Sequence, residues 1–100
     1  MKNKAYYEQC TVIAKALAHP HRLLIMDALS HKDLCVCDLT KLVKADQTTV
    51  SKHLLVLKNA KLIEGKKKGL YVSYHIKIPC ITKFFCCLEG AIKQSGGSLS

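Results

Sequence analysis

Cys35 and Cys37 stand two residues apart in the segment "LCVCDL", directly ahead of a run that reads as a short helix, a turn and a second helix. On a regular helix, residues i and i+2 face different ways. At a helix N-terminus the first of them is still extended, so both sulfurs can turn to one side. The pair can therefore pinch one ion, and the positive end of a helix favours the thiolate that soft ions require. Sulfur ligation selects As(III), Sb(III), Cd(II) or Pb(II) over Mg(II) or Ca(II), which need oxygen ligands. The bland alternative is that both cysteines are small buried apolar side chains.

The chain has six cysteines. The N-terminus "MKNKAYYEQC" lacks the apolar segment of an export signal, and the aliphatic content can form a core without cross-links, so reduced thiols and a cytoplasmic location are expected. Cys10 lies on the apolar stripe of the first helix, where burial as a small side chain is the plain expectation. It is also the first choice for a third ligand beside Cys35 and Cys37. Cys80 and Cys87 share a side of the last helix, but two turns part them by roughly 10 Å, too far for one ion within one chain. Cys86 points the other way.

A second chemistry is cationic. Sixteen Lys and Arg stand against seven Asp and Glu, a formal charge of +9 on one hundred residues. Such a balance attracts polyanions, nucleic acid first among them, and its placement decides whether it does more than keep the chain soluble.

The elements that must position these groups are legible in the periodicity. Tyr6, Cys10, Ile13, Ala14 and Leu17 mark one face of a first helix over residues 3–18. Pro20 suits the first turn of a second, with Leu24, Ile25, Ala28 and Leu29 on one side. A short third helix starts near Val36 or Cys37, with Leu39, Leu42 and Val43 as its apolar positions. Asp46 is a good N-cap for a fourth helix from Gln47 to about Ala60. On that helix Val50, Leu54 and Leu57 cluster inward, while Thr48, Ser51, Lys52 and Leu55 come round to the outer face. The stretch "LIEGKKKGLYVSYHI" reads as a β-hairpin around Gly65 to Gly69 whose tip carries Lys66, Lys67 and Lys68. After Pro79 a last amphipathic helix presents Ile81, Phe84, Phe85, Leu88, Ala91 and Ile92.

This order predicts one mainly α domain with a β-hairpin wing, a winged helix-turn-helix over residues 1–95, with 96–100 as a flexible tail. No apolar run is long enough to span a bilayer, so no membrane partner is expected. Neither a phosphate-binding Gly-rich loop nor a Ser/His/Asp signature is found, and no enzyme is expected. Double-stranded DNA is the partner such a fold implies. Lys52, Lys66, Lys67 and Lys68 would meet phosphates, and Gln47, Thr48, Thr49, Ser51 and His53 lie at or near the part of the reading helix that meets bases. His53 could instead sit at the core edge, in polar contact with His21 and Asp38.

The segments "LAHPHRLLIMDAL", "LCVCDL", "DQTTVSKHLLVLKNAKLI" and "GKKKGLYVSYHI" resemble, across nearly the whole chain, the ArsR/SmtB family of bacterial metal-sensing repressors. Within them, "TVSKHLLVLKNA" resembles the recognition helix, and "LCVCDL" is similar to the metalloid-binding segment of arsenic-sensing and cadmium/lead-sensing members. The resemblance implies a homodimer that binds a palindromic operator when metal-free and lets go when As(III) or Sb(III), or else Cd(II) or Pb(II), is bound. It also implies that the third ligand can come from an N-terminal cysteine of the opposite protomer, hence Cys10, and that the "CC" pair Cys86 and Cys87, with Cys80, can form a second site. Zinc sites on the last helix of this family use Asp, His and Glu, of which only Glu89 is present. Two departures stand out: Lys61 replaces the usual glycine after the recognition helix, and Thr40 occupies the position where arsenic sensors often carry a third cysteine. The rival readings are a winged-helix sensor of thiol oxidation through Cys35 and Cys37 or Cys86 and Cys87, and a small arsenate reductase, for which no oxyanion loop is visible.

Overall fold

A computed structural model of the chain describes residues 1–96, and the greater part of the expected tail, 97–100, lies outside the described residues. Five helices and three short strands follow one another as α1 (Lys4–Leu17), α2 (Pro20–His31), β1 (Leu34–Cys35), α3 (Val36–Val43), α4 (Gln47–Asn59), β2 (Ile63–Lys68), β3 (Tyr71–Ile76) and α5 (Ile81–Gln94). This is a winged helix-turn-helix, mainly helical with one small antiparallel sheet.

Each helix start has its local cause. Asn3 accepts the Tyr6 N–H at 3.0 Å to open α1, the His19 ring accepts the His21 N–H at 3.0 Å ahead of Pro20 in α2, and Asp46 accepts the Thr49 N–H at 2.7 Å to open α4. The turn between α3 and α4 is made by Lys44, whose φ of 60° closes α3 in the left-handed region. The core is then built from Ile25 and Met26 of α2, Leu39 of α3, Val50, Leu54 and Leu57 of α4, and Ile63 of β2, all fully buried.

The end of α4 resolves the first departure. Lys61 adopts the left-handed conformation a glycine would take, with φ 64°. Its N–H reaches the Lys58 carbonyl at 2.9 Å and the next N–H, of Leu62, reaches the Leu57 carbonyl at 3.1 Å. That is a complete Schellman stop, closed by the buried Leu62 near the buried Leu57. The glycine-free helix end keeps its geometry and carries the strain in a lysine.

The wing differs in detail from expectation. Lys66, Lys67 and Lys68 lie within β2, paired with Ser73, Val72 and Tyr71, and the turn falls on Gly69 and Leu70. Gly65 is a strand residue; a Cβ there would come within 2.9 Å of Val72 Cγ1, so only the bare backbone fits beside that side chain. The third strand escaped sequence reading. Leu34 pairs with Tyr74 and Cys35 with Ser73, so β1 joins the cysteine segment to the wing in the sheet order β1-β3-β2.

Several positions on the expected apolar faces are exposed in the single chain: Leu24 on α2, Leu42 on α3, Tyr6 and Ile13 on α1, and Phe84 and Ile92 on α5. The stripes on α1 and α5 were read correctly as apolar, but one chain supplies little to cover them. Of α5, Ile81 is buried and Phe85 packs against the core.

Candidate functional site

Two surfaces carry the residues singled out by sequence. On α4, Gln47, Thr48, Ser51 and Lys52 are exposed and line one shallow groove together with Leu55. Thr49 is half-buried, its N–H engaged by Asp46. That hydrogen bond, followed by the Thr49 hydroxyl, holds the Asp46 carboxyl below the usual carboxylate range, and Lys52 adds a smaller pull in the same direction. On the wing, Lys66, Lys67 and Lys68 are all exposed. Because successive strand residues point to opposite faces, Lys67 shares its face with Val72 while Lys66 and Lys68 share theirs with Ser73 and Tyr71.

His53 does not belong with the exposed set. It is buried at 9% exposure, and its ring lies 4.4 Å from the His19 ring and 5.3 Å from the His21 ring, centroid to centroid. His21 and His53 meet as edge-to-face rings with no hydrogen bond between them among the described residues, and Asp38 is occupied at Cys35. At 100° per residue His53 follows Lys52 to the inner side of α4, so the helix start is legible as a reading surface only at Gln47, Thr48, Ser51 and Lys52.

The second surface is the start of α3. Cys35 is the extended N-cap residue, with φ −91° and ψ 169°, and Cys37 lies in the first turn, as the two-thiol geometry requires. The Asp38 carboxylate accepts the Cys35 N–H at 3.4 Å and faces the Cys35 thiol at 3.2 Å. The thiol, first, and then the backbone N–H hold the Asp38 carboxyl below its usual range. An ion taking the Cys35 sulfur must therefore displace that S–H and break its bond to Asp38. Cys37 is exposed.

Both cysteines open into a cleft of about 460 Å³ whose other walls are Thr40 and Lys41 of α3, Gln47 at the first turn of α4, and Leu70, Tyr71, Val72 and Tyr74 of the wing. The thiol pair, the first reading residue and the wing thus share one cavity. Within the described residues of the single chain, the one group of three or more His, Cys, Asp or Glu whose ligand atoms all lie within 4.8 Å is His19, His21 and His53. Cys10, expected to be buried, is exposed on α1, where its thiol beside the Tyr6 hydroxyl raises the pKa of that tyrosine. Cys80 stands at the N-cap position of α5 without a side-chain capping bond, and Cys86 and Cys87 lie exposed along the helix.

Residues 19–64, from the start of α2 to the start of the wing, match the bacterial regulatory protein arsR family. The arsenical resistance operon repressor of Bacillus subtilis is 35% identical, over 74% of this chain and 75% of that protein. The chain belongs to the ArsR/SmtB family. A transcriptional repressor SmtB homolog of Synechocystis is 36% identical over 69% of this chain, but the match spans only 52% of that protein's length. The solution structure of a homodimeric winged helix-turn-helix DNA-binding domain from Mycobacterium bovis, described as a possible ArsR-family transcriptional regulator, superposes with a TM-score of 0.80 at 25% identity, covering 94% of this chain and 90% of that one. The family and fold are those of DNA-binding transcriptional regulators. Among the described residues, no helix is long and apolar enough to cross a membrane.

Proposed function

We propose that this ArsR/SmtB protein is a cytoplasmic transcriptional repressor that binds operator DNA as a homodimer and releases it when a soft metalloid or metal ion is held by Cys35 and Cys37. The carrying observation is the shared cleft: the thiol pair, Gln47 and the wing's Tyr71 line one cavity, and β1 ties Cys35 to β3.

In the ion-free state, Gln47, Thr48 and Ser51, with Thr49 beside them, enter the major groove, and Lys52 with Lys66, Lys67 and Lys68 meets phosphates. The exposed apolar faces of α1 and α5, with Tyr6, Ile13, Phe84 and Ile92, supply the surface a second copy would cover. Cys35 and Cys37 give two thiolates, and Cys10 from the partner is the third donor; exposure of Cys10 leaves it able to reach across. Drawing the two sulfurs together breaks the Cys35 contact with Asp38 and turns the first residues of α3. That movement passes to Gln47 through the cleft and to the wing through β1.

As(III) or Sb(III) is the inducer this reading favours, since arsenical repressors of Bacillus subtilis and Staphylococcus aureus are similar at 35% and 36% identity. A cadmium resistance regulator of Listeria innocua, 42% identical over 63% of this chain, keeps Cd(II) and Pb(II) as alternatives. Cys80, Cys86 and Cys87 are a second candidate site, shared across the dimer. A gel shift on the DNA upstream of the gene, with each ion added in turn, tests the reading. Release by As(III) or Sb(III) at micromolar concentration supports it, and retention of the complex with all four ions rules it out.

A further inference from the structure

The inner side of α4 carries a second set of ligand-type side chains, away from the thiols. Pro20 fixes the first turn of α2 with His19 and His21 on either side of it, and His53 comes from α4. Their ligand atoms all lie within 4.8 Å of one another, and the His19 and His21 ring centroids are 5.0 Å apart. Three neutral imidazoles suit Zn(II) and its first-row neighbours, which take nitrogen readily and leave the fourth position to water.

Two observations separate this cluster from mere packing. First, His21 Nδ1 is buried without a hydrogen-bond partner among the described residues, a costly condition that a bound ion or its water would relieve. Second, the nearby cation is already committed. Arg22 donates from Nε to the Ala16 carbonyl at 2.6 Å and from Nη2 to the Lys15 carbonyl at 3.1 Å, and only a 3.4 Å contact reaches His53 Nδ1. Those carbonyls belong to the negative end of α1, which offsets the guanidinium charge beside the cluster. Burial, then His19, Arg22 and His21, holds the His53 ring below its ordinary pKa and so in the neutral form that ligates.

We infer that His19, His21 and His53 form a three-imidazole site for a first-row divalent cation, with Zn(II) as the reference ion and water as the fourth ligand. Nitrogens around one Zn(II) at about 2.0–2.1 Å stand roughly 3.3 Å from one another, so side-chain rotation must draw the rings inward by about 1.5 Å at most. Where Nδ1 ligates, the ion displaces the His21 N–H from His19 and Arg22 from His53. Where Nε2 ligates, the ring proton moves by way of solvent to Nδ1, so the ring stays neutral and the contact that Nδ1 accepted, from the His21 N–H at His19 or from Arg22 at His53, is given up. Because two ligands come from α2 and one from α4, loading clamps the reading helix to the helix beneath it. This site is independent of the thiol pair and stands whether or not Cys35 and Cys37 sense an ion.

The test uses the full chain with all six cysteines replaced by serine, since every thiol is exposed or half-buried and would compete for the ion. Zn(II) should bind one per chain, raise the Tm, and shift the ring nitrogen resonances of His19, His21 and His53 together while leaving His31 and His75 in place. His21→Gln and His53→Gln should each weaken binding at least tenfold. A folded serine variant that binds no Zn(II), or binds it with those three rings unmoved, overturns the site. Should the serine variant not fold, Co(II) added to the wild-type chain in excess over its thiols gives the same reading: paramagnetic shifts at the three rings are expected, and their absence is a refutation.

Discussion

Replacing Lys52 with Ala removes one exposed cation from the outer face of α4 without touching the core, and in a homodimer it removes that cation twice. If Lys52 neutralises one phosphate per protomer, two counterion releases are lost. At about 0.9 per phosphate, the slope of log affinity against log salt becomes shallower by about 1.8. Between 50 and 200 mM salt, the ratio of wild-type to variant affinity should then shrink about twelvefold. Fluorescence anisotropy on a labelled operator duplex, repeated over that range, reads the slope directly. The wing sharpens the test, because Lys67 faces one way and Lys66 with Lys68 the other. Lys67→Ala and the double replacement of Lys66 and Lys68 should therefore change the slope unequally. An unchanged slope for Lys52→Ala and for both wing variants would place the DNA on another surface and refute the assignment of α4 and the wing.

Three further outcomes follow from the same geometry. Gln47→Ala or Ser51→Ala should change sequence preference by about 1–3 kcal/mol at an affected base pair, measured against a panel of single-base operator variants; equal weakening on every operator would mean that these residues position the protein and do not read. Lys61→Gly should stabilise the chain by roughly 0.5–1 kcal/mol in denaturant unfolding, because the glycine takes the φ of 64° without the strain a lysine bears. The Asp46 carboxyl has a lower pKa folded than unfolded, so its contribution is present above the unfolded value and is lost as pH falls through the folded one. Asp46→Asn keeps the cap, and the stability difference from wild type should therefore diminish in unfolding experiments carried below about pH 4.

What was legible in the sequence were the features set by local chemistry. The cap at Asp46, Pro20 in the first turn of α2, the inward set Val50, Leu54 and Leu57, and the extended start of α3 at Cys35 follow from spacing and residue type, and the structure has them. Long-range pairings were not legible. Two residues suffice for β1, which is too short to show alternation, and only β3 lying beside it makes Leu34 and Cys35 a strand. His53 was ambiguous because it follows the exposed Ser51 and Lys52. Its burial depends on His19 and His21, thirty-odd residues earlier, for which "AHPH" was the only available signal. The wing lysines were found, but the turn was set too early, since Gly65 invites a bend and its actual role is to let Val72 and Tyr74 pack close. Leu24, Phe84 and Ile92 were legible as apolar faces but their exposure was not, because an amphipathic pattern does not say whether the same chain or a second copy covers the stripe.

An ion on the α3 thiols should be felt by α4 and the wing, and operator affinity with and without As(III) reads that coupling. Anisotropy should be recorded for the wild-type protein and for Cys35→Ser and Cys37→Ser. Saturating As(III) should weaken the wild-type complex on the order of 150-fold, a coupling of about 3 kcal/mol. Both single variants should bind the operator as the wild type does and lose that response. If both still release DNA at the wild-type ion concentration, the cleft at Cys35 and Cys37 is not the sensor, and the response belongs to Cys80, Cys86 and Cys87 on α5.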